Sequence, residues 1–355
     1  MDRDWQAFLA EQGAVIESGR VVHYGTPPDR AVPPEQGCIM ADLSHWGVIG
    51  VAGEDAASFL QGQLTADIQA VTPDRGRISG YCSPKGRLLA SFYVFRHADA
   101  YCLCLPAELV DPVIARLNIF KLRARVELQD MDGAWLRIGL AGTGCEPALA
   151  AAVGSVPGAD FATVHRDAVT AVRLPGPGPR FLVAGGPADI RRLWSEAART
   201  AVPVGASSWE LLEIRAAIPM IRPQTQEKFV PQMVNLDALE GIGFNKGCYT
   251  GQEIVARMHY LGRLKQRMYL AHIEQAAPAA APGDLLYSPD ADTKQSVGTV
   301  VAAQPLPGSG QALLAVLGIE AAQRGNIHLH TEDGPELALT TMPYELPARS
   351  AGTQR

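Results

Sequence analysis

The sequence lacks any uninterrupted apolar run of the roughly 20 residues that a membrane-spanning helix needs. Its first residues, Met-Asp-Arg-Asp-Trp-Gln, contain no apolar core of the kind that a secretion signal carries. Cations are outnumbered, with 31 lysines and arginines against 37 aspartates and glutamates and a formal net charge of −6. Because phosphate binding requires clustered cations, this balance excludes general nucleic-acid binding and leaves only a local RNA contact open. We therefore predict a cytoplasmic protein without membrane contact.

Cysteine is also scarce, with six residues and no C-x-x-C pair. The irregular spacing predicts free thiols rather than a disulfide framework, in agreement with a cytoplasmic location. Cys102 and Cys104 share one face of a predicted strand, and so do His328 and His330. Such pairs more often pack in a core or face solvent than bind a metal ion, so no metal site is predicted.

The chain changes character along its length of 355 residues, enough for two or three domains. Its first part alternates between helical and strand patterns, beginning with an amphipathic helix predicted over residues 4–18. A turn is predicted at Ser83-Pro-Lys-Gly86, between two β-type runs. After Arg263, short apolar runs at even spacing are separated by Gly, Pro and Asp, a pattern typical of a small all-β barrel or sandwich.

One stretch has the composition of a reactive site: Asn245-Lys-Gly-Cys-Tyr-Thr-Gly-Gln-Glu-Ile-Val-Ala-Arg257. Thr250 and Glu253 have the spacing of a capping box, which predicts a helix that begins there. Cys248 would then lie near the positive end of the helix dipole and two residues from Lys246, and both features favour its thiolate form. A helix entry that merely contains a cysteine stays an open alternative. No histidine is placed to form a Cys–His pair, since His259 is the nearest in sequence.

Lys246-Gly-Cys-Tyr-Thr-Gly-Gln-Glu253 resembles the signature of the YgfZ family of folate-binding proteins. That family is related to the T-protein, the aminomethyltransferase of the glycine cleavage system. Arg257 and Gly262-Arg263 continue the match. Further segments have counterparts in the same order: Phe59–Asp67, Gly80–Arg87, Ile214–Pro219 and Ser296–Val300. The resemblance extends from about Asp42 to Pro343.

The resemblance implies an α+β fold of three domains in a ring around a central cavity. Two interleaved α+β domains would comprise residues 1–50 with 133–205, and residues 51–132 with 206–262, the second of which carries the KGCYTGQE motif. Residues 263–345 would form a C-terminal β-barrel and residues 346–355 a disordered tail. Tetrahydrofolate or a one-carbon derivative would occupy the cavity.

Departures from the T-protein pattern argue against glycine cleavage. Leu89 and Ala90 stand where the T-protein has an acidic pair that takes part in catalysis. Pro175-Gly-Pro-Gly-Pro-Arg180 replaces a loop whose glutamate holds the pterin ring. Loss of a charged group that acts on the transition state typically costs on the order of 10²-fold in rate.

The family resemblance instead implies a cytoplasmic folate-binding protein that supports assembly or repair of iron–sulfur enzymes, including some that modify tRNA. Its partners would be folate and iron–sulfur enzymes or assembly proteins. Two alternatives stay open: a folate-dependent one-carbon transferase or demethylase, and a folate-binding module without chemistry. Gln224, Gln226 and Gln232 either line a polar cavity or form ordinary polar loop. The predicted catalytic residues are Cys248 and Lys246, and the predicted cofactor contacts are Tyr81, Arg87, Gly247, Tyr249, Gln252, Glu253 and Arg257.

Overall fold

A computed structural model describes residues 1–25, 37–291 and 295–347. Within these residues the chain forms two compact units, and it passes between them several times. The first unit comprises Met1–Ala56, Gln69–Arg77 and Tyr93–Leu212. The second comprises Ala57–Ile68, Ile78–Phe92 and the chain from Glu213 onward. The division into three domains stays a prediction, and most of its C-terminal tail, residues 348–355, lies outside the described residues.

The helices are α1 (Arg3–Glu11), α2 (Ala56–Gln61), α3 (Val110–Lys121), α4 (Glu146–Val153), α5 (Pro187–Ala197), α6 (Ala206–Arg215), α7 (Gln252–Tyr260) and α8 (Ile319–Arg324). The first strands are β1 (Val15–Glu17), β2 (Arg20–His23), β3 (Ile39–Asp42), β4 (Trp46–Ala52), β5 (Arg77–Cys82), β6 (Leu88–His97), β7 (Ala100–Pro106), β8 (Glu127–Asp130), β9 (Leu136–Ala141) and β10 (Thr163–Arg166). The remaining strands are β11 (Val169–Arg173), β12 (Arg180–Gly185), β13 (Val202–Val204), β14 (Gln266–Ile273), β15 (Leu285–Tyr287), β16 (Gly298–Pro305), β17 (Gln311–Gly318), β18 (His328–Leu329) and β19 (Ala338–Thr340).

The first unit contains a six-stranded sheet in the order β10-β11-β12-β9-β3-β13. Only β13 runs parallel to its neighbour, β3, while the other pairs are antiparallel. Helix α5 buries Ile190, Leu193, Trp194 and Ala197, the one-sided spacing of an amphipathic helix, in the same apolar core as residues of β9 and β12. Trp194 meets Trp5 of α1 edge to face, with ring centroids 5.5 Å apart.

A five-stranded sheet has the order β5-β6-β7-β4-β8. Strands β5 and β6 form a hairpin whose tip, with its adjoining residues 78–92, belongs to the second unit. The amide of Gly86 donates to the carbonyl oxygen of Ser83 at 2.9 Å, and Gly86 has a φ of +67°. This hydrogen bond confirms the turn predicted at residues 83–86. Position 86 favours glycine because residues with a side chain rarely adopt a positive φ.

The C-terminal part of the second unit is an antiparallel sheet of six strands, in the order β18-β15-β16-β17-β14-β19. It curls into a half-barrel around an apolar core. The β-rich end predicted from the even spacing of apolar runs is therefore confirmed, as a half-barrel. The core side chains include Leu286, Val300, Leu313, Leu317 and Leu329.

Two local predictions were wrong. The first helix ends at Glu11 rather than residue 18, because Gly13 turns the chain with a φ of +90° and β1 and β2 follow as a hairpin.

Six free thiols were also expected, but Cys38 and Cys145 form a disulfide. Their spacing of 107 residues gave no hint of it. The two cysteines meet because β3 pairs with β9, which places the start of one strand beside the end of the other.

Candidate functional site

Two of the segments that resemble family motifs, 59–67 and 246–253, pack together in the second unit. The Lys246 ammonium donates to the carbonyl oxygens of Leu64 and Ala66, each at 2.7 Å. The amide of Gly243 donates to the carbonyl oxygen of Thr65 at 2.8 Å. The loop that carries Cys248 is thus fixed against the segment 59–67, although about 180 residues separate the two in the chain.

The tip of the β5–β6 hairpin lies directly against the start of α7. A Cβ atom placed on Gly251 would come within 2.4 Å of the carbonyl oxygen of Ser83 and 2.8 Å of the Cα of Gly86. A Cβ atom on Gly86 would come within 2.8 Å of the Cβ of Ile254. The two backbones approach this closely because both positions are glycine. The hairpin 80–87 therefore packs against the segment 246–253, and it also bonds to the segment 59–67, because the amide of Thr65 donates to the carbonyl oxygen of Gly80 at 2.9 Å.

The predicted capping box was wrong. Helix α7 begins at Gln252, with Gly251 as its N-cap at a φ of +82°, and no described side chain caps it. The left-handed conformation at Gly251 and its contact with the hairpin fix the helix entry instead of Thr250. Cys248 consequently lies three residues before the N-cap.

Cys248 is exposed, whereas the other three free cysteines, Cys82, Cys102 and Cys104, are buried. Burial raises the pKa of the Cys82 thiol to about 12, and it raises that of Cys102 further. Since the thiolate is the reactive form of cysteine, these buried thiols are poor nucleophiles near neutral pH. Cys248 is the accessible thiol of the chain.

Lys246 is half-buried, and its ammonium lies 5.0 Å from the ring centroid of Tyr249. Burial lowers the pKa of Lys246 to about 8, and the nearby Asp67 carboxylate only partly opposes this shift. Tyr249 is itself buried, and burial raises its pKa. Lys246 therefore remains mostly protonated at neutral pH. Through its contacts with Leu64 and Ala66 and with the ring of Tyr249, it holds the loop in place on both sides of Gly247.

The remaining predicted site residues differ in accessibility. Gly247, Glu253 and Arg257 are exposed, and Gln252 is half-buried. No described atom lies within 4 Å of the position that a Cβ on Gly247 would occupy. Thus the predicted residues from 246 to 257 lie on one continuous segment, most of it open to solvent.

The two predicted residues of the β5–β6 hairpin are less accessible. The Arg87 guanidinium donates to the carbonyl oxygen of Lys228 at 2.6 Å, so one of its donors is already engaged. Tyr81 is fully buried in β5.

Among the buried oxygens of the second unit, Oε1 of Gln63, Oγ of Ser83 and Oε1 of Gln232 accept no hydrogen bond from any described residue. Gln63 and Ser83 belong to the two segments that meet the Cys248 loop, and the side-chain amide of Gln232 donates to the carbonyl oxygen of Val255 in α7 at 2.7 Å. Buried acceptors are normally satisfied, so these three fit a ligand or solvent that supplies N–H or O–H donors. From the sequence, Gln232 was predicted either to line a polar cavity or to belong to ordinary polar loop. Gln63 and Ser83 were not predicted as site residues, because their burial depends on tertiary packing.

Within the described residues, no group of three or more His, Cys, Asp and Glu side chains is placed to hold a metal ion. His328 contacts the carbonyl oxygen of Gly334 and the side chain of Asn326, both at 2.8 Å. His330 instead contacts the Asp284 carboxylate at 2.8 Å. The two histidines thus have separate partners.

A cleft of about 320 Å³ lies in the first unit, beside α4 and α5. Its walls include Arg192, which pairs with Asp189 at 2.9 Å, and Arg166, which donates to the carbonyl oxygen of Ala151 at 3.3 Å. None of the predicted site residues lines it.

None of the helices in the described parts of the chain has the length and apolar character needed to cross a membrane.

Known proteins resemble this chain in sequence and in fold. The family model described as the GCVT N-terminal domain matches residues 33–174. The tRNA-modifying protein YgfZ of Sodalis glossinidius is 32% identical over 307 residues, which is 86% of this chain and 93% of that protein. The tRNA-modifying protein YgfZ of Pectobacterium carotovorum is 30% identical, over 86% of this chain and 92% of that protein. Among solved structures, aminomethyltransferase T of the glycine cleavage system from Bartonella henselae superposes with a TM-score of 0.75 at 15% identity, over 97% of each chain. At that identity the superposition shows a shared fold.

Proposed function

We propose, since the chain belongs to the family of the tRNA-modifying protein YgfZ, that it binds a tetrahydrofolate and supports iron–sulfur enzymes that modify tRNA, with Cys248 as its working residue. The observation that carries this proposal is the position of Cys248. It is an exposed thiol on a loop that two distant segments hold in place, whereas the other free cysteines are buried.

The residues around the motif fit a reduced folate. The pterin ring presents several N–H donors, and we propose that it reaches at least one of the acceptors without a protein donor, on Gln63, Ser83 and Gln232. The glutamyl tail of folate is anionic, and the exposed guanidinium of Arg257 supplies a cation on the same segment. When bound, tetrahydrofolate supplies a carrier for one-carbon groups.

Cys248 would act at the open edge of this site, as a nucleophile or as a transient ligand of iron. A conventional iron–sulfur cluster needs about four ligands, and Cys248 offers one. With no group of three metal-binding side chains among the described residues, we propose that a cluster would be cargo of a partner, which contributes the other ligands. Lys246 would hold the loop so that the thiol faces solvent.

Glycine cleavage is disfavoured as the activity. Leu89 and Ala90 lie in β6, with Leu89 half-buried and Ala90 buried, and neither offers a charged group. The side-chain amide of Gln226 donates to the carbonyl oxygen of Leu89 at 2.8 Å, and this contact is a neutral one. No acid at these positions can stabilise a developing cation.

The proposal is tested by alkylation of Cys248 with and without a reduced folate. Native protein is expected to take up one equivalent of iodoacetamide rapidly, at Cys248, because Cys82, Cys102 and Cys104 are buried. Saturating 5-formyltetrahydrofolate is expected to slow that reaction at least about 10-fold, as a ligand that covers the thiol should. Peptide mass spectrometry locates the label, and Cys248→Ser serves as the control that takes up none.

A Cys248→Ser protein should also fail to restore iron–sulfur enzyme activity in a deletion strain. Full restoration would contradict the working role of Cys248 and favour a folate-binding module without chemistry. Equal alkylation rates with and without folate, together with no folate binding by calorimetry, would contradict the folate site.

A further inference from the structure

An exposed aromatic surface lies at the other end of α7 from Cys248. It consists of the exposed side chains of His259, Tyr260 and Leu261 and the half-buried ring of Phe244, which together we name the aromatic platform. The rings of Phe244 and His259 stack with centroids 3.7 Å apart and planes 17° apart. Tyr260 stands edge-on to His259, at 4.7 Å and 81°. Tyr260 is 62% exposed and Leu261 84% exposed, so these side chains are not part of a core.

The platform lies in a basic stretch of an otherwise acidic chain. Residues 254–265 contain Arg257, Arg263 and Lys265 and no acidic residue, although the whole chain has a net charge of −6. All three cations are exposed. None of them makes an ion pair or a side-chain hydrogen bond with any residue the structure describes, whereas Arg267, just beyond them, is paired with Asp237 at 2.8 Å. The platform thus combines exposed rings with unpaired positive charge.

Hydrogen bonds within the protein hold the backbone around the platform in place in the absence of a partner. Phe244 follows Gly243, whose amide bonds to Thr65, and precedes Lys246, whose ammonium bonds to Leu64 and Ala66. On the other side, the amide of Leu261 donates to the carbonyl oxygen of Arg257 at 2.9 Å. A surface held in this way loses little conformational entropy when it binds.

We infer that the aromatic platform binds unpaired bases of an RNA, a role that rests on the tRNA-linked function proposed above. Single-stranded nucleic acids bind where aromatic rings offer stacking faces and nearby cations track the phosphates, and unpaired loop bases of RNA are recognised in this way. The positive charge favours an anionic partner, and the stacked rings favour one that presents flat, unpaired bases. The exposed ring of Tyr260 and the ring stack of Phe244 and His259 supply the stacking faces, and Arg263 and Lys265 supply the cations.

A second exposed apolar patch, at the end of α3, lies beside the exposed Arg123 but, among the residues that the structure describes, lacks stacked rings. Ile119, Phe120 and Leu122 are 69%, 37% and 89% exposed. No ring within the described residues stacks on Phe120, and Arg125 nearby is paired with Glu54 and Asp55. This patch provides matched controls for the platform.

The test is fluorescence anisotropy of the full-length protein with a labelled RNA hairpin that has an unpaired loop, and with a fully paired RNA duplex of the same length. The hairpin is expected to bind more tightly than the duplex. Tyr260→Ala should weaken hairpin binding about 10-fold, as expected for the loss of one base–aromatic stack. The double variant Arg263→Gln with Lys265→Gln should reduce the slope of log affinity against log salt by about 1. Leu122→Ala and Arg123→Gln should leave both quantities unchanged.

All these substitutions are at exposed positions, and circular dichroism checks that the variants fold. Folate shielding of Cys248 should be unaffected by Tyr260→Ala, which separates this proposal from the folate site. Hairpin binding that is absent, or that the platform variants leave unchanged, would overturn the inference. It is equally overturned if the platform variants instead abolish binding to a purified iron–sulfur tRNA-modifying enzyme, since the platform would then be a protein-docking surface.

Discussion

Lys246 illustrates how the surroundings of one side chain can change its role. Its position two residues from Cys248 suggested that it tunes the thiolate. In the folded protein its ammonium donates to two carbonyl oxygens of the segment 59–67 and lies over the ring of Tyr249. These contacts make Lys246 first a positioning residue for the loop. A neutral amine retains two N–H donors, so both hydrogen bonds can survive deprotonation.

Lys246→Met is expected to lower the free energy of unfolding by roughly 1 to 3 kcal/mol, because it leaves the carbonyl oxygens of Leu64 and Ala66 without their donor. The pKa of Lys246 is lowered to about 8 in the folded protein, below the value of about 10.4 in an unfolded chain. Between these two values the unfolded state binds more protons, so the contribution of Lys246 to stability rises with pH. The difference in unfolding free energy between wild type and variant, from urea denaturation, should therefore grow from about pH 7 to about pH 10. The exposed Lys265→Met is the control, and a difference that shrinks with pH would contradict the assignment.

At the scale of elements, the start of α7 depends on backbone geometry rather than on a side-chain cap. Gly251 adopts a positive φ and lies against the carbonyl oxygen of Ser83, while Gly86 of the hairpin lies against Ile254. The helix and the hairpin tip therefore form one packing unit. Cys248 and Gly247 lie just outside it, where the chain is open.

Gly251→Ala is expected to destabilise the protein by about 2 to 4 kcal/mol, because a Cβ there combines an unfavourable positive φ with a clash against the hairpin backbone. Gly247→Ala provides a matched control four residues away, since no described atom lies near its Cβ position. Its unfolding free energy should stay within about 0.5 kcal/mol of wild type. Thermal denaturation of the two variants measures the difference, and equal melting temperatures would refute the close contact between helix and hairpin.

At the scale of the whole molecule, chain connectivity decides how the site is assembled. The second unit takes residues 57–68 and 78–92 from the N-terminal half of the chain and the rest from Glu213 onward. The Lys246 ammonium donates to the carbonyl oxygens of Leu64 and Ala66, and Gly251 packs against the tip of the hairpin. The site therefore cannot be complete in a fragment that begins after the first unit.

A fragment comprising residues 213–347 is expected to leave the loop 243–251 unanchored, since it lacks every partner that fixes this loop from the segments 59–67 and 80–87. Limited proteolysis should then cleave the fragment near Cys248 at protease concentrations that leave the full chain intact. Adding a separately expressed fragment of residues 1–212 should restore protection if the two reassociate. A fragment as resistant as the full chain would show that the local sequence alone orders the loop.

Several features were predictable because they depend on local composition. The β-rich end after Arg263 and the turn at residues 83–86 follow from apolar spacing and from turn-forming residues. The motif at 246–253 led to the family, which the relatives in Sodalis and Pectobacterium confirm. The first helix was predicted too long because its apolar pattern continues past Gly13, while the backbone does not.

The sequence by itself determined the family, the position of the candidate thiol and the β-rich character of the C-terminal end. Only the tertiary structure decided that Cys38 pairs with Cys145, that Gly251 rather than Thr250 is the N-cap of α7, and that Lys246 bonds to Leu64 and Ala66. The physical reason is the same in each case. Local patterns fix what a segment can form, but hydrogen bonds, disulfides and close backbone contacts between distant segments exist only once the fold has brought their atoms within a few ångströms.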